Sequence, residues 1–145
     1  MRTKEFLNRL EHDRIVRAIR EAETKTSGEI RVFLQRGHVN DDPLPVAQRQ
    51  FQLLGMDKTR EHNAVLILVA PRAQKFAVVG DTAIHEKCGD EFWSCVVDVM
   101  RGHFIKEEFT DAIVEAIQET GRLLAMHFPK QGPEINELPD EVIQT

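Results

Sequence analysis

The chain has 145 residues, of which 41% are hydrophobic and 30% are charged, and its formal net charge is −5. This balance predicts one globular domain with a real hydrophobic core and argues against disorder. The acidic balance and the lack of a basic tract argue against a nucleic-acid partner.

The ends of the chain and its cysteines predict where the protein works. The N-terminal residues, MRTKEFLNRLEHDR, are charged throughout and lack the apolar stretch of a secretory signal. No apolar run approaches the ~20 residues that span a bilayer. The two cysteines, Cys88 and Cys95, are too few for a disulfide framework and are not spaced as CxxC. We therefore expect a cytoplasmic protein with buried free thiols and no membrane insertion.

Helix and strand patterns alternate in the first half of the chain. Residues 3–23 are predicted to form an amphipathic helix, with a phase slip around His12. Alternating side chains predict a strand over residues 29–36. Asp42 and Pro43 have the pattern of an N-cap followed by a first helical residue, and the helix that they begin is expected to end at Gly55.

The stretch AVLILVAPRAQKFAVVGD, residues 64–81, is the centre of the predicted fold. Residues 65–70 are a continuous apolar run, which is typical of a strand covered on both faces. A short polar break at 71–74 precedes a second strand at 76–79, and strands joined so closely are antiparallel. The strand–helix–strand crossover predicts that the strands at 29–36 and 65–70 are parallel.

The second half of the chain is predicted to be mainly helical. Residues 82–93 are expected to be a polar loop with one helical turn, and Asp90 is a candidate N-cap for a helix that carries Trp93 as a core anchor. A bend is expected at 101–103, followed by a helix from about Lys106 that ends at Pro129. Residues 1–129 would then be one domain, and residues 130–145 an acidic tail docked through its isolated aliphatics, Ile135, Leu138, Val142 and Ile143.

Together these elements predict an α/β fold, a three-layer α/β/α sandwich with a short mixed sheet of three to four strands. The familiar enzyme motifs GxSxG, GxxxxGK[ST], GxGxxG and HExxH are absent. Serine hydrolase, P-loop and Rossmann functions therefore receive no support.

Acidic loops are the remaining candidates for chemistry. One group follows the first strand, and the hairpin reversal places a second group at the opposite sheet edge, near residues 61–63. Their oxygen ligands suit Ca²⁺ or Mg²⁺ rather than zinc. The first group is Asn40, Asp41 and Asp42, and the second is Asp81, Glu86, Asp90 and Glu91, with Asn63 as an added ligand.

The structural alternative is that these acids are helix caps and solvated turn residues. Asp42 and Asp90 each stand directly before a predicted helix, where a carboxylate caps free backbone N–H groups. Loop histidines at His38, His62 and His85 are a weaker metal set, because no pair has ligand spacing.

Three strings give the chain a resemblance to a known family: AIREAETKTSGEIRVFL, HNAVLILVAPRAQKFAVVGD and FIKEEFTDAIVEAIQETGRLLAMHFP. Together they resemble the TPM domain family over about residues 13–129, a family named for thylakoid-lumen, photosystem-repair and receptor-modulator members. The resemblance implies an α/β/α sandwich that binds a divalent cation, usually calcium, through acidic loop residues. The matched positions, and hence the expected metal ligands, are Asp41, Asp42, Asp81 and Asp90.

The resemblance also implies possible functions. Plant members are associated with acid phosphatase activity, and other members resemble accessory factors. The chain lacks the family's export signal, its transmembrane segment and the usual D-x-A-x-x-L-S opening, which predicts a stand-alone cytoplasmic branch.

We expect a TPM-like domain that binds a divalent cation, with calcium as the expected ion, and that acts as a binding or accessory module for an unidentified protein partner. The alternative is a metal-assisted acid phosphatase acting on phosphomonoesters, with Asp41, Asp81 or Asp90 as ligand or base. A structural interaction protein without a ligand is the third hypothesis.

Overall fold

The structure is a computed structural model. It describes the backbone of residues 9–35, 42–70, 75–106, 108–130 and 142–144, and the side chains in these ranges except at 9, 10, 90–93, 104, 105 and 142–144. The helices are α1 (Arg9–Glu23), α2 (Pro43–Leu53), α3 (Thr82–Ile105) and α4 (Phe109–His127), and a short 3₁₀ helix covers Met56–Lys58. The strands are β1 (Glu29–Leu34), β2 (Ala64–Ala70), β3 (Lys75–Gly80) and β4 (Val142–Gln144).

The described strands form one mixed sheet in the order β3-β2-β1-β4. β1 runs parallel to β2 and β4, whereas β2 and β3 are antiparallel. All residues of β2 are buried, because this strand lies inside the sheet and is covered on both faces. The predicted hairpin and the predicted parallel pairing of its first strand are both confirmed.

Helices cover both faces of the sheet and give the predicted three-layer α/β sandwich. On one face α1, α3 and α4 form a core with the strands, in which Val32 joins Ile19. On the other face α2 contributes Phe51 to a second core that contains Phe33. Val32 and Phe33 enter different cores because successive strand residues point to opposite faces.

The predicted loop over residues 82–93 is wrong, since α3 begins at Thr82 and continues to Ile105. Ile84 in its first turn is fully buried, and the partly buried Ala83 and Cys88 pack against the same core, so a few apolar side chains hold a segment that is otherwise mainly polar. Gly89 has φ 66° and ψ −165°, which joins two helical pieces at a kink. Asp90, which was predicted to begin a separate helix, thus lies in the second piece of α3. The bend predicted at 101–103 is also wrong, because these residues are helical.

Part of the predicted tail belongs to the sheet. Val142–Gln144 forms β4, with Val142 in register with Val32 and Gln144 in register with Leu34. Ile135 and Leu138, which we expected to dock the tail, lie outside the described residues. The domain boundary at residue 129 stays a prediction.

The remaining sequence expectations concern thiols and membranes. Cys88 and Cys95 are both free, as predicted, but the predicted burial is wrong, because Cys88 is half-buried and Cys95 is exposed. Burial raises the pKa of the Cys88 thiol above its usual value. None of the helices formed by the described residues is long and apolar enough to cross a bilayer.

Candidate functional site

Three polar segments meet at one edge of the sheet. β1 and β2 are parallel with Glu29 opposite Ala64, so the residues that precede both strands lie at the same edge. β3 runs the other way, with Gly80 opposite Val65, and Asp81 therefore ends at this edge too. The sequence prediction that Asp81 lies near residues 61–63 is confirmed.

Asp81 is the most buried acid of the candidate set that the structure describes. The residue is 8% exposed. Its Oδ1 accepts a hydrogen bond from the Thr82 N–H at 2.7 Å, and its Oδ2 lies 3.3 Å from Nδ1 of His62. Its own N–H donates to the Ala64 carbonyl at 3.0 Å. The carboxylate therefore caps the start of α3 and faces an imidazole.

His62 lies in the loop before β2 with an unusual backbone. Its φ of 51° is the one positive value among the non-glycine residues that the structure describes. Its carbonyl accepts a hydrogen bond from the Ala83 N–H at 3.1 Å, and its N–H donates to the Thr59 carbonyl at 3.4 Å. Hydrogen bonds on both sides of His62 thus hold a left-handed backbone conformation that non-glycine residues rarely adopt. The ring itself is 55% exposed and is open to solvent.

Asn63 connects this loop to the entry of β1. The residue is 1% exposed, and its Nδ2 donates a hydrogen bond to Ser27 Oγ at 3.0 Å. A Cβ at Gly28 would lie 3.2 Å from the Asn63 carbonyl and 2.9 Å from Leu124 Cδ1, so the chain passes too closely there for a larger residue without a shift. Ser27, Gly28 and Asn63 are therefore packing residues that hold the edge together.

The other predicted ligands do not join Asp81 in the described structure. Asp42 is exposed, and its Oδ1 accepts a hydrogen bond from the Leu44 N–H at 3.0 Å, which confirms the predicted N-cap. Asp90 directly follows the kink of α3 at Gly89, nine residues after Asp81 along the chain. The side chain of Asp90, and Asp41 as a whole, lie outside the described part of the chain.

Within that part of the chain, no three or more His, Cys, Asp or Glu side chains are grouped so that they could hold a metal ion. The predicted metal ligands therefore stay predictions. The hairpin placed residues just before β2 beside residues just after β3, as the sequence predicted, but the sequence did not single out the contact between His62 and Asp81.

A second polar cluster, at the corner between α3 and α4, was also missed. His103 Nδ1 lies 3.0 Å from Glu108 Oε1, and its Nε2 lies 2.9 Å from Glu115 Oε2. Hydrogen bonds from the imidazole to Glu115 and then Glu108 raise the pKa of His103 above its ordinary 6.5. The two carboxylates bond to opposite nitrogens of the ring, so this cluster fixes a helix corner and does not surround an ion.

The fold and this edge define a three-layer α/β domain with a polar site where β3 ends and α3 begins. A family model described as the TPM domain matches residues 1–123. The chain belongs to the TPM domain family, as its sequence strings suggested. The comparison with curated proteins found no match.

Two solved structures extend this result. The BA42 protein from the psychrophilic bacterium Bizionia argentinensis, an NMR structure, is 36% identical and superposes with a TM-score of 0.91 over 99% of this chain and 98% of that chain. The N-terminal domain of the cg2496 protein from Corynebacterium glutamicum, also solved by NMR, is 15% identical, with a TM-score of 0.66 over 81% of this chain and 74% of that chain. The second likeness is one of fold alone.

Proposed function

We propose that this TPM domain is a cytoplasmic divalent-cation-binding module that serves as a binding or accessory domain for a protein partner, with the cation at Asp81. One observation carries the proposal, namely a carboxylate that is only 8% exposed at the edge where three segments meet. Among the described residues its partners are the Thr82 N–H and the His62 imidazole, and no lysine or arginine pairs with it. A buried carboxylate that no lysine or arginine neutralises favours a bound cation.

Calcium is the ion that the family resemblance implies, and it takes about six to eight oxygen ligands. The described side chains do not fit a complete calcium cage, because they include no group of three candidate ligands. Asp81 would supply one oxygen, and water would supply most of the others. Such a site predicts modest affinity.

Thermal unfolding of EDTA-treated protein tests the proposal, with Ca²⁺, Mg²⁺, Mn²⁺ and Zn²⁺ added in turn. The variants are Asp81→Asn and, as a matched control, Asp42→Asn. Both aspartates cap helices, and asparagine is an equally good cap, so both variants should fold. A cation at a hundred times its Kd stabilises the native state by about 2.7 kcal/mol. We therefore expect the cation to raise the melting temperature of the wild type and of Asp42→Asn, and not to raise that of Asp81→Asn.

Two outcomes would contradict the proposal. Equal shifts in all three proteins would place the cation elsewhere. No shift with any cation at millimolar concentration would remove the cation site and leave the interaction module without a ligand.

A metal-assisted acid phosphatase is the second candidate, and the pairing of His62 with Asp81 is the observation that favours it. An imidazole beside a carboxylate at a solvent-exposed edge can accept and return a proton. Of the lysines and arginines that could bind the phosphate, Lys87 lies 4.8 Å from the centroid of the Phe128 ring, and Arg36 lies outside the described residues. Hydrolysis of p-nitrophenyl phosphate that is lost in Asp81→Asn would support this candidate, and the absence of metal-dependent hydrolysis would exclude it.

A further inference from the structure

A cavity of about 330 Å³ lies between the C-terminal halves of α1 and α4. The two helices run parallel, because Arg14 Nη2 lies 2.7 Å from Asp111 Oδ1 and, further along both helices, Ala22 meets Gly121. At about 30 Å³ for each water molecule, the cavity has the volume of about eleven waters, which is the lower end of the range for small-molecule sites. It shares no lining residue with the sheet-edge site proposed above.

Small residues form the floor of this cavity. Ala18 and Gly121 are buried, and Ala22 and Ala125 are half-buried. No side chain of the floor is longer than a methyl group, so the floor is an apolar recess between the two helices. The close approach of Ala22 and Gly121 holds the helices together beneath it. An apolar group of a ligand can therefore leave water on a surface that already exists.

Long polar side chains form the rim. Glu21 and Lys25 come from α1 and the turn after it, Gln118 and Arg122 come from α4, and all four are exposed. Arg122 pairs with Glu119, with Nη2 2.6 Å from Oε1 and Nε 3.2 Å from Oε2, so these two charges neutralise each other. The remaining charges of the rim are one carboxylate, on Glu21, and one ammonium, on Lys25.

These two charges are open to a ligand. In the part of the chain that the structure describes, neither the Glu21 carboxylate nor the Lys25 ammonium has a partner in a hydrogen bond or an ion pair. Their i, i+4 spacing would make them neighbours within a helix, but α1 ends at Glu23 and Lys25 lies in the turn beyond. Backbone hydrogen bonds fix this turn, since the Lys25 N–H donates to the Ala22 carbonyl and its carbonyl accepts from the Lys130 N–H.

We propose that this cavity binds an apolar amino acid as a zwitterion, with the ligand's carboxylate at Lys25, its ammonium at Glu21 and its side chain on the floor. The two open charges of the rim match the two charges of a zwitterion. A phosphate or a simple carboxylate would place a negative charge near Glu21, and a simple amine would place a positive charge near Lys25. The floor favours an aliphatic side chain. This site does not depend on the proposed cation site.

An amide NMR titration of the full chain with L-leucine tests the proposal. Because the two rim charges are exposed, we expect a weak complex that NMR can detect. Two analogues of the ligand are controls, since 4-methylpentanoate lacks the ammonium of leucine and 3-methylbutylamine lacks its carboxylate. The variants are Lys25→Gln, Glu21→Gln and Ala125→Leu. Lys58→Gln is the matched control, because Lys58 is an exposed lysine on the 3₁₀ helix and does not line the cavity.

Leucine should cause saturable shifts at the amides of residues 18–25 and 118–125, and each analogue should bind at least about threefold more weakly. Lys25→Gln and Glu21→Gln should each weaken leucine binding by about three- to fivefold, the effect of one exposed charge pair, whereas Lys58→Gln should leave it unchanged. Ala125→Leu should abolish the shifts, because the longer side chain fills the floor of the cavity.

The opposite results would overturn the proposal. The absence of saturable shifts at these residues with millimolar leucine would show that the cavity does not bind it. Equal affinity for leucine and either analogue would show that the site does not recognise a zwitterion. Equal losses in Lys25→Gln and Lys58→Gln would indicate an effect of net charge, and unchanged binding in Ala125→Leu would place the ligand elsewhere.

Discussion

Asp42 and Asp81 are both helix-capping carboxylates, yet their surroundings differ. Asp42 is exposed and its described hydrogen bond is the one from the Leu44 N–H, so its role ends with the cap. Asp81 is buried and also faces an imidazole. Both aspartates stand directly before a helix, yet one has a local capping role and the other is also a candidate binding residue.

We predict that Asp42→Ala lowers the free energy of unfolding by about 0.5–2 kcal/mol, because the first turn of α2 loses the acceptor for its Leu44 N–H. Urea unfolding measures the change. Asp42→Asn, which keeps an oxygen acceptor, should lose much less, and equal losses in the two variants would contradict a capping role.

His103 makes the corner between α3 and α4 sensitive to pH. Both ring nitrogens can donate to carboxylates only in the imidazolium form, so Glu108 and Glu115 favour the charged ring. The pKa of His103 is accordingly raised in the folded state, first by Glu115 and then by Glu108. The charged ring therefore stabilises the native corner.

We predict that this stabilisation is complete below about pH 6.5, the ordinary histidine value, and is lost as the pH rises through the higher folded pKa. Urea unfolding from about pH 5 to 9 should show that the wild type loses more stability with rising pH than His103→Gln. His12→Gln, a change on α1, should retain the wild-type slope. Parallel slopes for the wild type and His103→Gln would contradict the role of this ring.

At the scale of elements, α1 and α4 pack closely at Gly121. A Cβ added there would lie 2.6 Å from the Cβ of Ala22, which is closer than real side-chain atoms approach. Gly102, within α3, has nothing within 4 Å of the added Cβ. Two helical glycines thus differ in the space that surrounds them.

Gly121→Ala should destabilise the protein by about 1–3 kcal/mol, because α1 and α4 must separate to admit the methyl group. Gly102→Ala should instead stabilise it by about 0.5–1 kcal/mol, since alanine is the better helix former and meets no neighbour. Thermal unfolding of both variants measures the opposite signs. A stabilising Gly121→Ala would show that the helices do not pack closely at this point.

At the scale of the whole molecule, β4 brings the C-terminal part of the chain back to the sheet, where it forms the edge strand beside β1. It pairs with Val32–Leu34 of β1 in parallel register. Without it, β1 becomes an edge strand whose outward N–H and C=O groups face water.

Removal of residues 140–145 should therefore cost about 1–3 kcal/mol of stability, the size expected for a few backbone hydrogen bonds. Amide hydrogen exchange should accelerate at Val32–Leu34, whereas the paired strands β2 and β3 serve as the internal control. Unchanged exchange in β1 would contradict the pairing of β4.

Much of the architecture could be predicted from the sequence because periodicity and short connections constrain it. The apolar run of β2 and the break before β3 were sufficient to predict a hairpin, and the hairpin was sufficient to place Asp81 near residues 61–63. The helix at 82–89 was missed because its burial depends on the fold: its few apolar residues stand among polar ones, yet Ile84 enters the core and Ala83 and Cys88 pack against it. A sequence pattern shows which residues are apolar, but it does not show which of them contact the core.

The candidate site could be predicted only in outline. The sequence singled out Asp81 and His62 separately, but the contact between them depends on a left-handed turn at His62 that local propensity disfavours. The pairing of β4 with β1 was missed for a related reason, since a strand of three residues within a polar tail has no periodicity to detect.

The proposed divalent cation would bind at the edge where Asp81 meets His62. The most direct measurement is a two-dimensional amide NMR spectrum of metal-free protein, titrated with Ca²⁺, Mg²⁺, Mn²⁺ and Zn²⁺. We expect saturable shifts, or broadening with Mn²⁺, at residues 61–63 and 80–84, and their loss in Asp81→Asn. Shifts confined to other parts of the chain, or no saturable change with any of the four cations, would contradict the claim.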